Sequence, residues 1–239
     1  MESRAESNSR IVRIAASLFF FLCVPMSIWE TGYVHAKVFV LQDPAATATN
    51  LTANEFIFRV SIISHIIGNV IFILMVMLFL KVFSPVDKHL SRLVVIPLAA
   101  QLAIVFALEI LNYAAVMTLK SDARATFDVA QQQEAAYFLL RLARLGVGAD
   151  KIIFGLCLIP FGMLVYKSGF APRVIGIFMI VGGVGYLIDT TLYVVLQRAD
   201  YLTIQTLKLY SSACYSLSFL WFLIKGVRDE KNNAPAYLI

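Results

Sequence analysis

Six apolar runs, each about as long as a helix needs to cross a bilayer, occupy most of this 239-residue chain. They extend roughly over Ile11 to Gly32, Phe56 to Val82, Leu93 to Leu119, Arg144 to Tyr166, Val174 to Leu196 and Leu202 to Ile224. The expected fold class is therefore all-α: a polytopic transmembrane bundle of six helices. With 60% hydrophobic and 15% charged residues and a mean hydropathy of +0.80, a soluble enzyme is excluded. The chain left between the runs is too short for a separate soluble domain, so residues 1–239 read as a single integral membrane domain.

The first run follows Arg4, Arg10 and Arg13, as a signal peptide would. No small-x-small cleavage site follows its apolar core, where Val24 to Trp29 run into Glu30, so an uncleaved anchor is expected. Cys23, Cys157 and Cys214 lie inside apolar runs and read as small core residues rather than a disulfide framework. The net charge of +5 sits in loops beside the membrane, and no basic cluster with interleaved aromatics points to nucleic acid. Arg4, Arg10, Arg13, Lys81, Lys88, Arg92, Lys167, Arg173, Lys225, Arg228 and Lys231 outnumber the basic residues of the opposite loops, which favours both termini in the cytoplasm.

The inner connections, 84–89 and 167–173, are short and carry Ser-Pro and Ala-Pro turn steps. The outer ones are longer and predict short interfacial helices. Asp43 is a natural N-cap and Pro44 a natural first residue for a helix running to about Glu55. Between Ser121 and Ala143, the residues Phe127, Ala130, Glu134, Tyr137 and Leu140 mark a second helix lying on the outer surface before the chain re-enters the membrane.

Five of the six runs carry ionisable groups: Glu30, His65, Glu109, the pair Asp150 and Lys151, and Asp189. Counted from each midpoint at 1.5 Å per residue, all but Glu30 lie roughly 5–8 Å to the outer side of centre. Charges at that depth are costly and mark functional sites by default. Helical phase groups them with small and polar neighbours. Ser61, His65, Gly68 and Asn69 share one face, and so do Gln101, Glu109 and Asn112. Arg144, Gly148, Lys151, Gly155 and Gly162 line an arc of the fourth run, while Gly182, Gly185 and Asp189, beside Gly183 and Tyr186, lie on the fifth. Glycines at such spacing let neighbouring backbones approach.

A polar chamber opening away from the cytoplasm follows, with His65, Asn69, Glu109, Asn112, Arg144, Asp150, Lys151, Tyr186 and Asp189 as its candidate ligand-binding residues. Glu109 and Asp189 would be anionic contacts or proton acceptors, with Lys151 and Arg144 as counter-charges. Glu30, next to Trp29 and near Tyr33, reads as an interface residue outside the chamber. The competing explanation is that the buried charges pair with one another and only orient the bundle. No metal is expected, because His35, His65 and His89 are too few and the one combination worth naming is His35, His65 and Asp189. No HExxH, GxSxG or phosphate-cradling loop is present, and no cofactor is indicated.

The run Lys167-Ser-Gly-Phe-Ala-Pro-Arg173, continued by Gly176, Gly182, Gly185, Tyr186 and Asp189, resembles the signature of bacterial six-helix proteins of the domain of unknown function 4386 family. Asp43-Pro-Ala-Ala46, Asn50, Glu55, Arg59 and Pro85-Val-Asp-Lys88 extend the resemblance over nearly the whole chain. It implies the six-helix fold and a bacterial inner-membrane setting, with no activity or catalytic residue to carry over. The resulting expectation is a multi-pass protein in contact with the lipid bilayer that binds or senses a small polar or amphiphilic ligand, with catalysis the less favoured role. The alternatives are an intramembrane lipid-modifying enzyme using Glu109 or Asp189 as base, and an accessory structural subunit of a membrane complex.

Overall fold

The computed structural model describes the backbone of residues 4–120, 128–196 and 201–227. Side chains are described for the same residues except 4–5, 149, 193–196 and 201–208. Among these residues the chain is all-helical. In order come α1 (Glu6–Val38), α2 (Pro44–Ala53), α3 (Glu55–Phe83), α4 (Lys88–Thr118), α5 (Val129–Ser168), α6 (Arg173–Leu196) and α7 (Tyr201–Lys225). Among the described residues, α1, α3, α4, α5 and α6 are long and apolar enough to cross a membrane. The last apolar run forms α7, whose first turns lie outside the described side chains.

The short helix α2 starts where the sequence places it. Asp43 Oδ1 accepts from the backbone N–H of Ala46 at 2.8 Å, and Pro44 occupies the first turn, where its missing N–H costs nothing. Two boundaries differ from expectation. Helix α1 does not end at Gly32 but continues to Val38, through two π-helical stretches, Phe19–Cys23 and Ile28–Val34. Pro25 lies between them. It lacks an N–H and crowds the carbonyl four residues back, which widens the ladder on its N-terminal side. The second departure is α5, one continuous helix of 40 residues, about 60 Å long, where a surface helix followed by a separate span was expected. The sequence Leu142-Ala-Arg-Leu145 holds no residue that breaks the ladder, and isolated Gly146 and Gly148 do not stop it. Residues 121–127 of the expected surface helix lie outside the described residues.

The chain packs as two compact units. One comprises Leu22–Ile71 with Leu102–Asp150, and the other the described parts of Met1–Phe21, Phe72–Gln101 and Lys151–Ile239. The first unit closes on Val34, Val38, Leu51, Phe58, Ile62, Ala115, Val116, Ala136 and Leu140. The Phe39–Asp43 connection is pinned to α5: Tyr137 OH accepts from the Gln42 N–H at 2.9 Å, and the Phe39 and Tyr137 rings stack with centroids 5.2 Å apart. Gln42 needs that support, since its φ of 62° is the left-handed region a non-glycine side chain disfavours.

In the second unit, α5 and α6 meet through four glycines spaced seven apart, Gly155 and Gly162 against Gly183 and Gly176. A methyl on Gly162 would stand 2.7 Å from the Gly176 carbonyl oxygen, and one on Gly176 2.6 Å from the Gly162 oxygen, so the two backbones touch reciprocally. Gly182 and Gly185 lie on another side of α6, facing Ser211 of α7. Beside this contact Phe79, Phe83, Phe161, Phe219 and Phe222 form an edge-to-face aromatic core. The turn into α6 has Gly169 at φ 67°, as expected for a tight Ser-Gly step, and Arg173 lies over the Tyr166 ring. Asp87 caps α4. Its Oδ1 accepts from the N–H groups of His89 and Leu90, and its Oδ2 from Lys167 Nζ at 3.0 Å. Those donors, Leu90 first and then Lys167, hold the Asp87 carboxyl below the ordinary carboxylate range.

Candidate polar site

The residues expected to line a chamber fall into two groups, one within each unit. In the first unit His65 of α3 is central. Its Nδ1 shares a hydrogen bond with Glu109 Oε1 of α4 at 2.5 Å and lies 3.3 Å from Glu30 Oε1 of α1. Asn112, one turn beyond Glu109, donates from Nδ2 to Glu109 Oε2 at 3.1 Å. Its Oδ1, although buried, has no hydrogen-bond partner among the described residues. Asn69 donates to the His65 carbonyl on its own helix, so it braces α3 rather than the imidazole. His35 closes the row, with Nε2 3.8 Å from Glu30 Oε1. Asp150 and Arg144 act electrostatically on this group. Arg144 itself is exposed and lies over the Phe39 ring, 4.2 Å from its centroid.

Glu30 corrects the sequence reading. Expected at the interface, it is 7% exposed and faces His65. Its position depends on the π-helical stretch around it, where the His35 N–H donates to the Glu30 carbonyl five residues back. A wide turn of that kind rotates the following side chains away from ideal α phase, and such turns recur at functional sites. Phase counted at 100° per residue could not find Glu30, because that count assumes an unbroken α ladder and the stretch Ile28–Val34 departs from it. Among the described residues, Glu30, His65 and Glu109 are the one group of three His, Cys, Asp or Glu side chains whose ligand atoms lie within 4.8 Å of one another. The histidine and carboxylate set is thus not the His35, His65 and Asp189 combination the sequence suggested.

His65 is the accessible member of the group. Its side chain is 25% exposed, against 4% for Glu109 and 10% for Glu30. Elsewhere in the same unit a groove of about 800 Å³ runs along α3, lined by Met26, Phe56, Val60, Ile63 and Ile67, with Glu55, Arg59 and Ser64 as its polar members. Glu55 is held by Lys120 at 2.7 Å and Arg59 at 3.3 Å.

In the second unit Lys151 of α5 and Asp189 of α6 form an ion pair with Nζ 3.4 Å from Oδ2. Asp189 is almost fully buried, and among the described residues its Oδ1 and the neighbouring Thr190 Oγ1 have no hydrogen-bond partner. One turn earlier on α6, the Tyr186 hydroxyl is 2.9 Å from Ser212 Oγ of α7, and its ring packs edge-on to Phe154. Depth along the last apolar run places Lys208, Ser211, Ser212 and Tyr215 level with the polar groups as a possible cation and hydroxyls, and Ser212 is the one that meets Tyr186. Gly185, which leaves room for Ser211, is the feature that located that contact.

No curated protein and no solved structure matches the chain. A family model does: the one described as a domain of unknown function, DUF4386, matches residues 15–226. The match takes in α1 from residue 15 onward, α3 to α6 in full and all nine candidate residues, so this membrane-type helical chain belongs to the DUF4386 family.

Proposed function

We propose that the protein is a multi-pass inner-membrane protein of six spans, α7 being the sixth, with both termini in the cytoplasm, and that it binds a small polar ligand at the cluster of Glu30, His65, Glu109 and Asn112. The orientation rests on the excess of Arg and Lys in the presumed inner flanks. One observation carries the binding reading: His65 is partly accessible and sits between two buried carboxylates, one of which holds Asn112, whose buried Oδ1 has no hydrogen-bond partner among the described residues. That unsatisfied oxygen is an acceptor which a bound ligand can pair with, since a buried polar atom without a partner costs free energy. Native mass spectrometry of the purified chain tests it. Wild type should carry a bound species that Glu109→Gln, still folded, does not. A wild-type protein that flies bare under conditions that retain lipids would overturn the reading.

A second reading applies to the other unit. The direct contact of Lys151 with Asp189 favours a pairing that orients α5 on α6, in which case a double substitution there leaves ligand retention unchanged.

A further inference from the structure

One ligand atom each from Glu30, His65 and Glu109 lies within 4.8 Å of the other two, a spacing that suits donors around a single ion. Zinc holds nitrogen and oxygen donors at about 2.0–2.2 Å, which sets the corners of its tetrahedron about 3.3 Å apart. His65 Nδ1 and Glu30 Oε1 already stand 3.3 Å apart. The 2.5 Å between His65 Nδ1 and Glu109 Oε1 is a close hydrogen-bond contact, and it must open by roughly 0.8 Å for a metal to displace the shared proton. Asn112 holds Glu109 Oε2, so Oε1 is the oxygen left for His65 or an ion; ligating carboxylates are oriented this way by outer hydrogen bonds. The unpartnered Asn112 Oδ1 is an acceptor that a metal-bound water would satisfy. Charge agrees as well. Two carboxylates against one imidazolium leave a negative balance, whereas a divalent ion with a neutral imidazole brings the three ligands to zero.

We propose that Glu30, His65 and Glu109 bind one divalent transition-metal ion, with zinc the best fit and His35 or water as the fourth donor. The proposal rests on the ligand-binding reading of this cluster and names its ligand. Mixed imidazole and carboxylate donors suit zinc and its transition-metal neighbours, while magnesium and calcium require oxygen donors in greater number.

The full-length protein in detergent, stripped with a chelator and then reloaded with Zn²⁺ or Co²⁺, decides the matter by metal analysis after desalting and by the visible absorption of the Co²⁺ form. Wild type should retain one equivalent and show a four-coordinate Co²⁺ spectrum. Asn112→Ala should weaken retention about 10- to 100-fold, Glu30→Gln and Glu109→Gln by more, and Lys151→Met not at all. Wild type without retained metal or Co²⁺ spectrum overturns the proposal, and so does equal retention by the Glu30→Gln and Glu109→Gln variants. Should either variant fail to fold by circular dichroism, the wild-type spectrum and its change in Asn112→Ala still decide. A bound organic species without metal, lost from Glu109→Gln, overturns the metal and leaves the ligand reading standing, whereas a bare and metal-free wild type overturns both.

Discussion

Replacing Gly176 by alanine adds one methyl group where two helix backbones touch. That methyl would lie 2.6 Å from the Gly162 oxygen and 2.7 Å from the Tyr166 nitrogen, whereas ordinary contact begins near 3.4 Å. The shortfall is about 0.8 Å against backbone atoms, which no rotamer change relieves, so α5 and α6 must separate along the contact. Overpacking of this kind costs about 1–3 kcal/mol, offset by up to about 1 kcal/mol from alanine's better helix propensity. The net expectation is a loss of about 1–2 kcal/mol, or a thermal midpoint lower by roughly 2–8 °C for a chain of this length. Gly32→Ala supplies the control, since its methyl meets only Ile28 Cγ2 at 3.9 Å and should leave stability level or slightly raised. Gly162→Ala should cost as much as Gly176→Ala, and the double variant less than the two together, because helices already forced apart admit the second methyl freely. Thermal unfolding in detergent, followed by circular dichroism, reads all four. If Gly176→Ala is as stable as Gly32→Ala, the backbones are not in contact and the reasoning fails.

Three further outcomes follow from single contacts. Lys151→Met strands the buried Asp189 carboxylate and should cost toward the lower end of about 3–5 kcal/mol because Lys151 is partly exposed; Lys151→Met with Asp189→Asn should recover part of it, both read by the same unfolding assay. Tyr137→Phe removes the acceptor of the Gln42 N–H and should cost about 1 kcal/mol, with faster amide exchange at Gln42 as the local signature. The Asp87 carboxyl, lowered by the Leu90 amide and by Lys167, contributes stability above its unfolded value of about 3.9 and loses it as the pH falls through the lower folded value. Wild type should therefore lose more thermal stability than Asp87→Asn between pH 6 and pH 3, and parallel pH profiles would contradict the cap.

Much of the architecture was legible because its causes are local. The Asp43-Pro44 start of α2, the Gly169 turn and the apolar runs each follow from a few neighbouring residues. The α5–α6 glycine contact was half legible: the small residues were visible at helical spacing, but which of the two glycine faces of α6 meets α5 depends on tertiary fit. In the site, depth and phase brought forward His65, Glu109 and Asn112, which do meet. They failed for Glu30 because a uniform 100° step assumes an unbroken i to i−4 ladder, and the π-helical stretch breaks that assumption at the residue in question. Asp150 and Lys151, adjacent in sequence, fell into different units, a division that hydropathy cannot express.

The wide turn at Ile28–Val34 also bears on how this site can be gained or lost. A π-helical stretch holds one residue more than an α-helix of equal hydrogen-bonding needs. Deleting Gly32 would let the segment relax to a plain α-helix and turn Glu30 about 100° relative to everything that follows. A single codon therefore separates a chain that presents a carboxylate to His65 from one that presents it elsewhere. A helix of this kind can gain or lose the second carboxylate beside His65 without changing any residue that contacts it.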